Sequence, residues 1–214
     1  MSKFHISMVI GLILSVCLAT FGGFGAECAE IRENVVRLHV LANSDSDADQ
    51  ALKYKVRDAL LAHSPELFGQ STSKEEAERE LAAHLPELER IARETLAANG
   101  CAYPVEAKLV NMYFETRQYE DFTVPAGRYD AIRIVIGEGK GQNWWCVMFP
   151  PMCVPAATDK DSMAENPVEQ QLCELGSQPV YKPRFAIVEL LESAREALVG
   201  EGDTELELPA IVAE

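Results

Sequence analysis

At Asn99-Gly100 the apolar repeat of this chain changes from helical spacing to strict alternation, and that change limits the folds open to it. Ahead of it, "ANSDSDADQ" punctuates the chain, and the spacing that follows predicts a helix over Asp47–His63. Its inward residues are Ala51, Leu52, Val56, Ala59 and Leu60. Ser44 or Asp45 caps it, Asp47 and Asp49 suit the positive end of its dipole, and Pro65 ends it. A second helical stretch runs from Ser71 to Gly100. Thr72 with Glu75, or Ser73 with Glu76, makes a capping box; Pro86 kinks the stretch or starts a new helix; Asn99-Gly100 is a left-handed C-cap. The glutamates at 75, 76, 78, 80, 87, 89 and 94 read as a solvated face.

Beyond Gly100, Tyr103–Phe114, Tyr129–Ile136 and Trp144–Phe149 read as strands. An earlier strand is predicted over Ile31–Leu41, with Val36, Leu38 and Val40 on one side and Arg37 and His39 on the other. "GEGKGQN" between the last two strands reads as the tip of a hairpin, and Pro150-Pro151 stops its second strand. Pro183 opens a last helix, with Phe185, Val188, Leu191 and Leu198 near one face. The sum is a single α+β domain over residues 27–199: a small, mainly antiparallel sheet packed with N-terminal and C-terminal helices. Residues 200–214 read as an acidic, disordered tail.

Residues 1–26 have the order of an export signal: Lys3, an uncharged apolar run from Ile6 to about Phe24, then Gly22, Gly23, Gly25 and Ala26 before the first acidic residue, Glu27. The run approaches the length of a membrane span, so the segment reads as a cleaved signal or an uncleaved N-terminal anchor. Export changes the meaning of the cysteines. Cys17 goes with the signal, leaving Cys28, Cys101, Cys146, Cys153 and Cys173 for an oxidising compartment. Cys146 with Cys153 is one pairing, and Cys101 with either is another.

A formal charge of −15 argues against non-specific nucleic-acid binding. "GEGKG" lacks the spacing of either phosphate-loop template and leads into a strand rather than a helix. "DSDAD" opens like a calcium loop, but Gln50 and Val56 stand where glycine and glutamate are needed. No metal, cofactor or small-molecule substrate is expected. Cys146 and His39 could form a thiol–imidazole pair, against the plainer reading of a disulfide and a strand histidine. Trp144 and Trp145 point to opposite faces of their strand, so one packs inside while the other is free for a partner, or both are core.

"RLHVLANSDSDADQALKYKVRDALL" (Arg37–Leu61) and "PAGRYDAIRIVIGEGKGQNWWCVMFPPMC" (Pro125–Cys153) resemble the stage II sporulation protein R family of endospore-forming bacteria. "CAYPVEAKL" (Cys101–Leu109) and "YKPRFAIVELLES" (Tyr181–Ser193) extend the resemblance, which spans roughly Arg32 to Ser193. It implies a secreted signal rather than an enzyme. Such a protein crosses the forespore membrane into the intermembrane space, possesses no catalytic residues, and activates a membrane-embedded aspartic protease in the mother-cell membrane. That protease then processes a sigma-factor precursor. The partner-binding candidates the resemblance marks are Arg37, His39, Asn43, Asp45, Lys53, Arg57, Asn143, Trp144 and Trp145. The rival reading is an exported Cys/His hydrolase, or an envelope-binding module, acting on cell-wall material.

Overall fold

All six residues of β1 (Val36–Leu41) are buried, and the architecture follows from covering both faces of that strand. A computed structural model describes residues 3–68, 71–119, 122–150, 181–200 and 202–206. The helices are α1 (Lys3–Asn34), α2 (Asp47–Phe68), α3 (Lys74–Ala83), α4 (Leu85–Ala98) and α5 (Tyr181–Val199). The remaining strands are β2 (Val105–Phe114), β3 (Arg117–Gln118), β4 (Thr123–Val124), β5 (Gly127–Ile136), β6 (Asn143–Phe149) and β7 (Thr204–Glu205). The main sheet has the order β6-β1-β5-β2-β7, and β3 with β4 forms a separate two-stranded arm. Among the described residues the β1–β5 pair alone is parallel; β1–β6, β2–β5 and β2–β7 are antiparallel. The α+β class and the mainly antiparallel sheet are as the sequence leads one to expect.

Strand alternation divides the core in two. Val36, Leu38, Val40, Leu109, Ile132 and Ile134 face Val56 and Leu60 of α2, Leu81 of α3, and Leu88, Ile91 and Leu96 of α4. On the opposite face, Val110, Met112, Phe114, Tyr129 and Val147 meet Phe24, Cys28 and Ile31 of α1 and Phe185 and Val188 of α5. Spacings of three and four along α1 put its three buried residues on one helical face. Residues 31–34, expected to open the first strand, therefore close α1 instead. Burial of Ile31 against the sheet outweighs its β propensity. Among the described residues no helix is long and apolar enough to cross a membrane.

The expected hairpin is not formed. β1 lies between β5 and β6, pairing Leu38 with Ile132 on one side and with Cys146 on the other. Residues 137–142 must therefore arch over the end of β1. Local strand–loop–strand logic is blind to a third strand supplied from 100 residues upstream, roughly the separation that loop-closure entropy tolerates at modest cost.

Three smaller expectations also change. Ser46, not Ser44 or Asp45, caps α2: its Oγ accepts from Asp49 N at 3.2 Å. The helix then runs through Pro65 to Phe68. Proline removes the N–H that would have reached the Leu61 carbonyl, and Ser64 Oγ donates to that oxygen at 2.8 Å instead. Ala51 faces solvent. In α5, Leu191 and Leu198 are 64% and 85% exposed. Part of the expected tail, Thr204–Glu205, adds a short strand to the edge of β2. The capping box at Ser73, the new helix at Pro86 and the C-cap at Gly100 (φ +74°) are present.

Candidate functional site

The two long motifs that carry the family resemblance meet at the end of β1. Asn43 Nδ2 donates to Asp49 Oδ2 at 2.8 Å, while its Oδ1 accepts the Glu138 amide at 3.0 Å. Lys140 N and Gly141 N donate to the carbonyls of Asn43 and Ala42, and Gln142 N donates to Asp45 Oδ1. From α2, Lys53 Nζ reaches Gln50 Oε1 at 2.6 Å and the Gln142 carbonyl at 2.9 Å. Ser44 and then Asn43 hold the Asp49 carboxyl below its usual range, and burial lowers the Lys53 ammonium. The glycines of the loop answer to this closeness rather than to phosphate. A Cβ on Gly137 (φ +61°) would sit 2.2 Å from Asn43 Oδ1, and one on Gly141 2.2 Å from the Ser44 carbonyl. Asn43, Asp45 and Lys53 thus act as the braces of a loop.

Below that loop, on the α1/α5 face, Arg37 and His39 are 0% and 3% exposed. The Arg37 guanidinium lies 4.1 Å from the Phe114 ring centroid and 5.3 Å from that of Tyr129. Its Nη2 donates to Tyr119 Oη at 3.0 Å, and Tyr119 Oη donates to the Trp145 carbonyl at 3.0 Å. His39 Nε2 donates to Asn143 Oδ1 at 3.0 Å, and burial pushes the imidazole down to about 4. It is neutral at physiological pH.

Trp144 turns to the other face. Its ring packs edge-on to Tyr54 at 5.5 Å between centroids, and the Arg57 guanidinium lies 4.3 Å from it and 5.0 Å from Tyr54. Tyr54 is 41% exposed, so this aromatic–cationic stack reaches the surface beside the exposed Asn143 and Asp45. Both tryptophans are half-buried, each against a different half of the core. Neither of the two sequence alternatives, one free or both internal, describes them. Tyr54 was missed in the sequence because an exposed aromatic on an amphipathic helix carries no periodic signal.

Cys146 is disulfide-bonded, to neither Cys28 nor Cys101, which are free, and Cys153 lies outside the described residues. Cys101 is a free thiol, which removes it from the candidate disulfides. Cys28 is also free, and burial raises its thiol to about 12. A bonded Cys146 has no thiolate to offer, so the thiol–imidazole pair with His39 is not present. Among the described residues no group of His, Cys, Asp or Glu side chains could hold a metal ion.

A cavity of about 680 Å³ opens elsewhere, lined by residues that include Arg32, Lys74, Asn111, Arg128, Asp130 and Glu196. Its charges pair with one another: Arg128 with Glu196 at 2.6 Å, Arg32 with Glu192 at 3.3 Å, and Lys74 with Asp130. Lys74 also holds Glu78 at 3.3 Å, and burial lifts that carboxyl to about 7. Glu78 therefore leaves the solvated face assigned to it, because Lys74 and Asp130 draw it toward the sheet.

A model of the stage II sporulation protein R family (Spore_II_R) matches residues 32–159, a span that holds the interlocked motifs and stops short of Ser193. Stage II sporulation protein R of Bacillus subtilis (strain 168) is 43% identical over 136 residues, which cover 64% of this chain and 61% of that relative. The match thus spans less than two thirds of the relative's length. No solved structure matches. The chain belongs to the stage II sporulation protein R family.

Proposed function

We propose that this protein is an exported sporulation signal that acts by binding. In this reading it crosses the forespore membrane into the intermembrane space, by a cleaved signal or an N-terminal anchor, and engages a membrane-embedded aspartic protease of the mother cell. Binding favours the active state of that protease, which then processes a sigma-factor precursor; the shift equals the differential affinity for the two states. Family membership supports the place in sporulation. The observation that carries the binding role is the Tyr54–Arg57–Trp144 stack, held between one turn of α2 and strand β6 and reaching the surface through Tyr54. Aromatic and arginine side chains held in this way supply much of the energy of protein interfaces.

The test is a sporulation-stage reporter with co-expressed receptor protease. Trp144→Ala and Arg57→Ala should silence sigma-factor processing while the purified variants stay folded by circular dichroism. Normal processing in both variants would remove the stack from the mechanism, and normal processing in a strain lacking the protein would remove the signalling role. Cell-wall turnover by the purified protein would favour the hydrolase, and a bonded Cys146 already weighs against that reading.

A further inference from the structure

We propose that Arg37 anchors a carboxylate-binding site on the α1/α5 face of the sheet, which takes an acidic side chain of the protein partner. It rests on the binding role above and gives that partner a chemistry. Arg37 is fully buried, yet among the described residues no carboxylate pairs with it; Tyr119 Oη is its hydrogen-bond partner there, through Nη2. Its Nε and Nη1 have no acceptor. Arginine stays protonated, so the charge cannot be shed, and buried charges are ordinarily paired. Phe114 and Tyr129 satisfy the face of the guanidinium, whereas its N–H groups lie in the plane and point at its edges. With Nε and Nη1 both unmet, a carboxylate meets a free donor along either edge of the fork.

Two neighbouring groups, Trp145 and Arg117, have the same preference. Trp145 Nε1 is buried without an acceptor, as is Trp144 Nε1 on the other face, but only the Trp145 ring packs on Phe114, at 5.6 Å, the ring beneath Arg37. Arg117 places a second guanidinium 5.1 Å from the Trp145 ring. His39 meets the same rings, Trp145 and Phe114, at 6.2 Å, but it is neutral and its buried, unpartnered Nδ1 is an acceptor, so it adds nothing to the attraction for an anion. Arg37 packs on Phe114 and Arg117 on Trp145, two rings in contact with each other, and three nitrogens of this cluster (Arg37 Nε and Nη1, Trp145 Nε1) lack an acceptor. Tyr119, which bridges Arg37 and the Trp145 carbonyl, occupies the place an incoming oxygen would take. It belongs to the β3–β4 side of the molecule, outside the main sheet.

The experiment needs no receptor. The full-length ¹⁵N-labelled protein, disulfide intact, is titrated with sodium acetate against sodium chloride at constant ionic strength, and the indole Nε1–H resonances are followed. The Trp145 resonance should move and saturate with acetate alone while that of Trp144 stays in place. Arg37→Lys, which keeps the charge but not the fork, should weaken acetate at least tenfold, and Arg37→Met should abolish the shift. Should Arg37→Met fail to fold, the lysine variant decides. An unmoved Trp145 resonance, or an equal response in Arg37→Lys, overturns the site. So does a response that emerges only in a Glu120→Gln/Asp121→Asn double variant, since the chain's own carboxylates would then be the occupants. Acetate binding with no effect of Arg37→Lys on the sporulation reporter would retain the site and overturn its use by the partner. A reporter lost at Trp144 without acetate binding would remove the site alone.

Discussion

His39 should make this fold lose stability as pH falls from about 6.5 to about 4, and the size of the loss follows from its burial. The unfolded imidazole takes up a proton near 6.5, whereas in the folded chain burial delays that to about 4, despite the hydrogen bond to Asn143 that pulls the other way. Between those values the unfolded state binds the extra proton, so stability falls with pH by about 1.4 kcal/mol per unit. Over the interval the total is roughly 3 kcal/mol, a large share of the ~5–15 kcal/mol that holds a typical domain together. Below about 4 both states carry the proton and the loss levels off. Glu78 works in the opposite sense: burial lifts it from 4.5 to about 7, so its contribution is fully present below 4.5 and declines as pH rises through that window. The wild-type profile alone is therefore flattened. The assay is urea unfolding by tryptophan fluorescence in half-unit pH steps, for wild type and His39→Gln. The difference between their stabilities should shrink by about 3 kcal/mol between pH 7 and pH 4 and stay constant below. Parallel curves across that interval would refute the reasoning.

Gly141→Ala should cost at least about 2 kcal/mol, because its Cβ would strike the Ser44 backbone carbonyl at 2.2 Å. Gly139→Ala meets a movable Val135 methyl at 2.7 Å and pays mainly for its positive φ, about 1 kcal/mol, so thermal unfolding should rank the two in that order. Lys53→Met removes the donor to Gln142 and Gln50 and should cost about 1–3 kcal/mol, with faster amide exchange at Gly141 and Gln142 than at β5. In the native protein a maleimide should label Cys101, leave Cys28 untouched until unfolding, and reach the buried Cys146 only after both reduction and unfolding. Rapid native labelling of Cys28 would contradict its burial.

Much of the molecule was legible in the order of its residues, since helix and strand periods, capping boxes and proline positions act over a few neighbours. The spans of β2, β5 and β6, the break at Pro86, the C-cap at Gly100 and the pairing of Arg37 with His39 on one strand face all follow from such short-range rules. What the chain could not disclose locally is which strands are neighbours. Inserting β1 between β5 and β6 turned an expected hairpin tip into an arch braced by Asn43, Asp45 and Lys53, and made glycine necessary there for reasons of contact rather than turn type. The same long-range choice buried Arg37 among aromatic rings and left Trp144 stacked with Tyr54 and Arg57 at the surface. Sequence alone determined most of the long elements and the family resemblance, but not the end of α1, the β3–β4 arm or β7. Tertiary structure decided which marked residues brace the fold and which remain free to meet a partner, because burial and charge compensation depend on residues far apart in the chain.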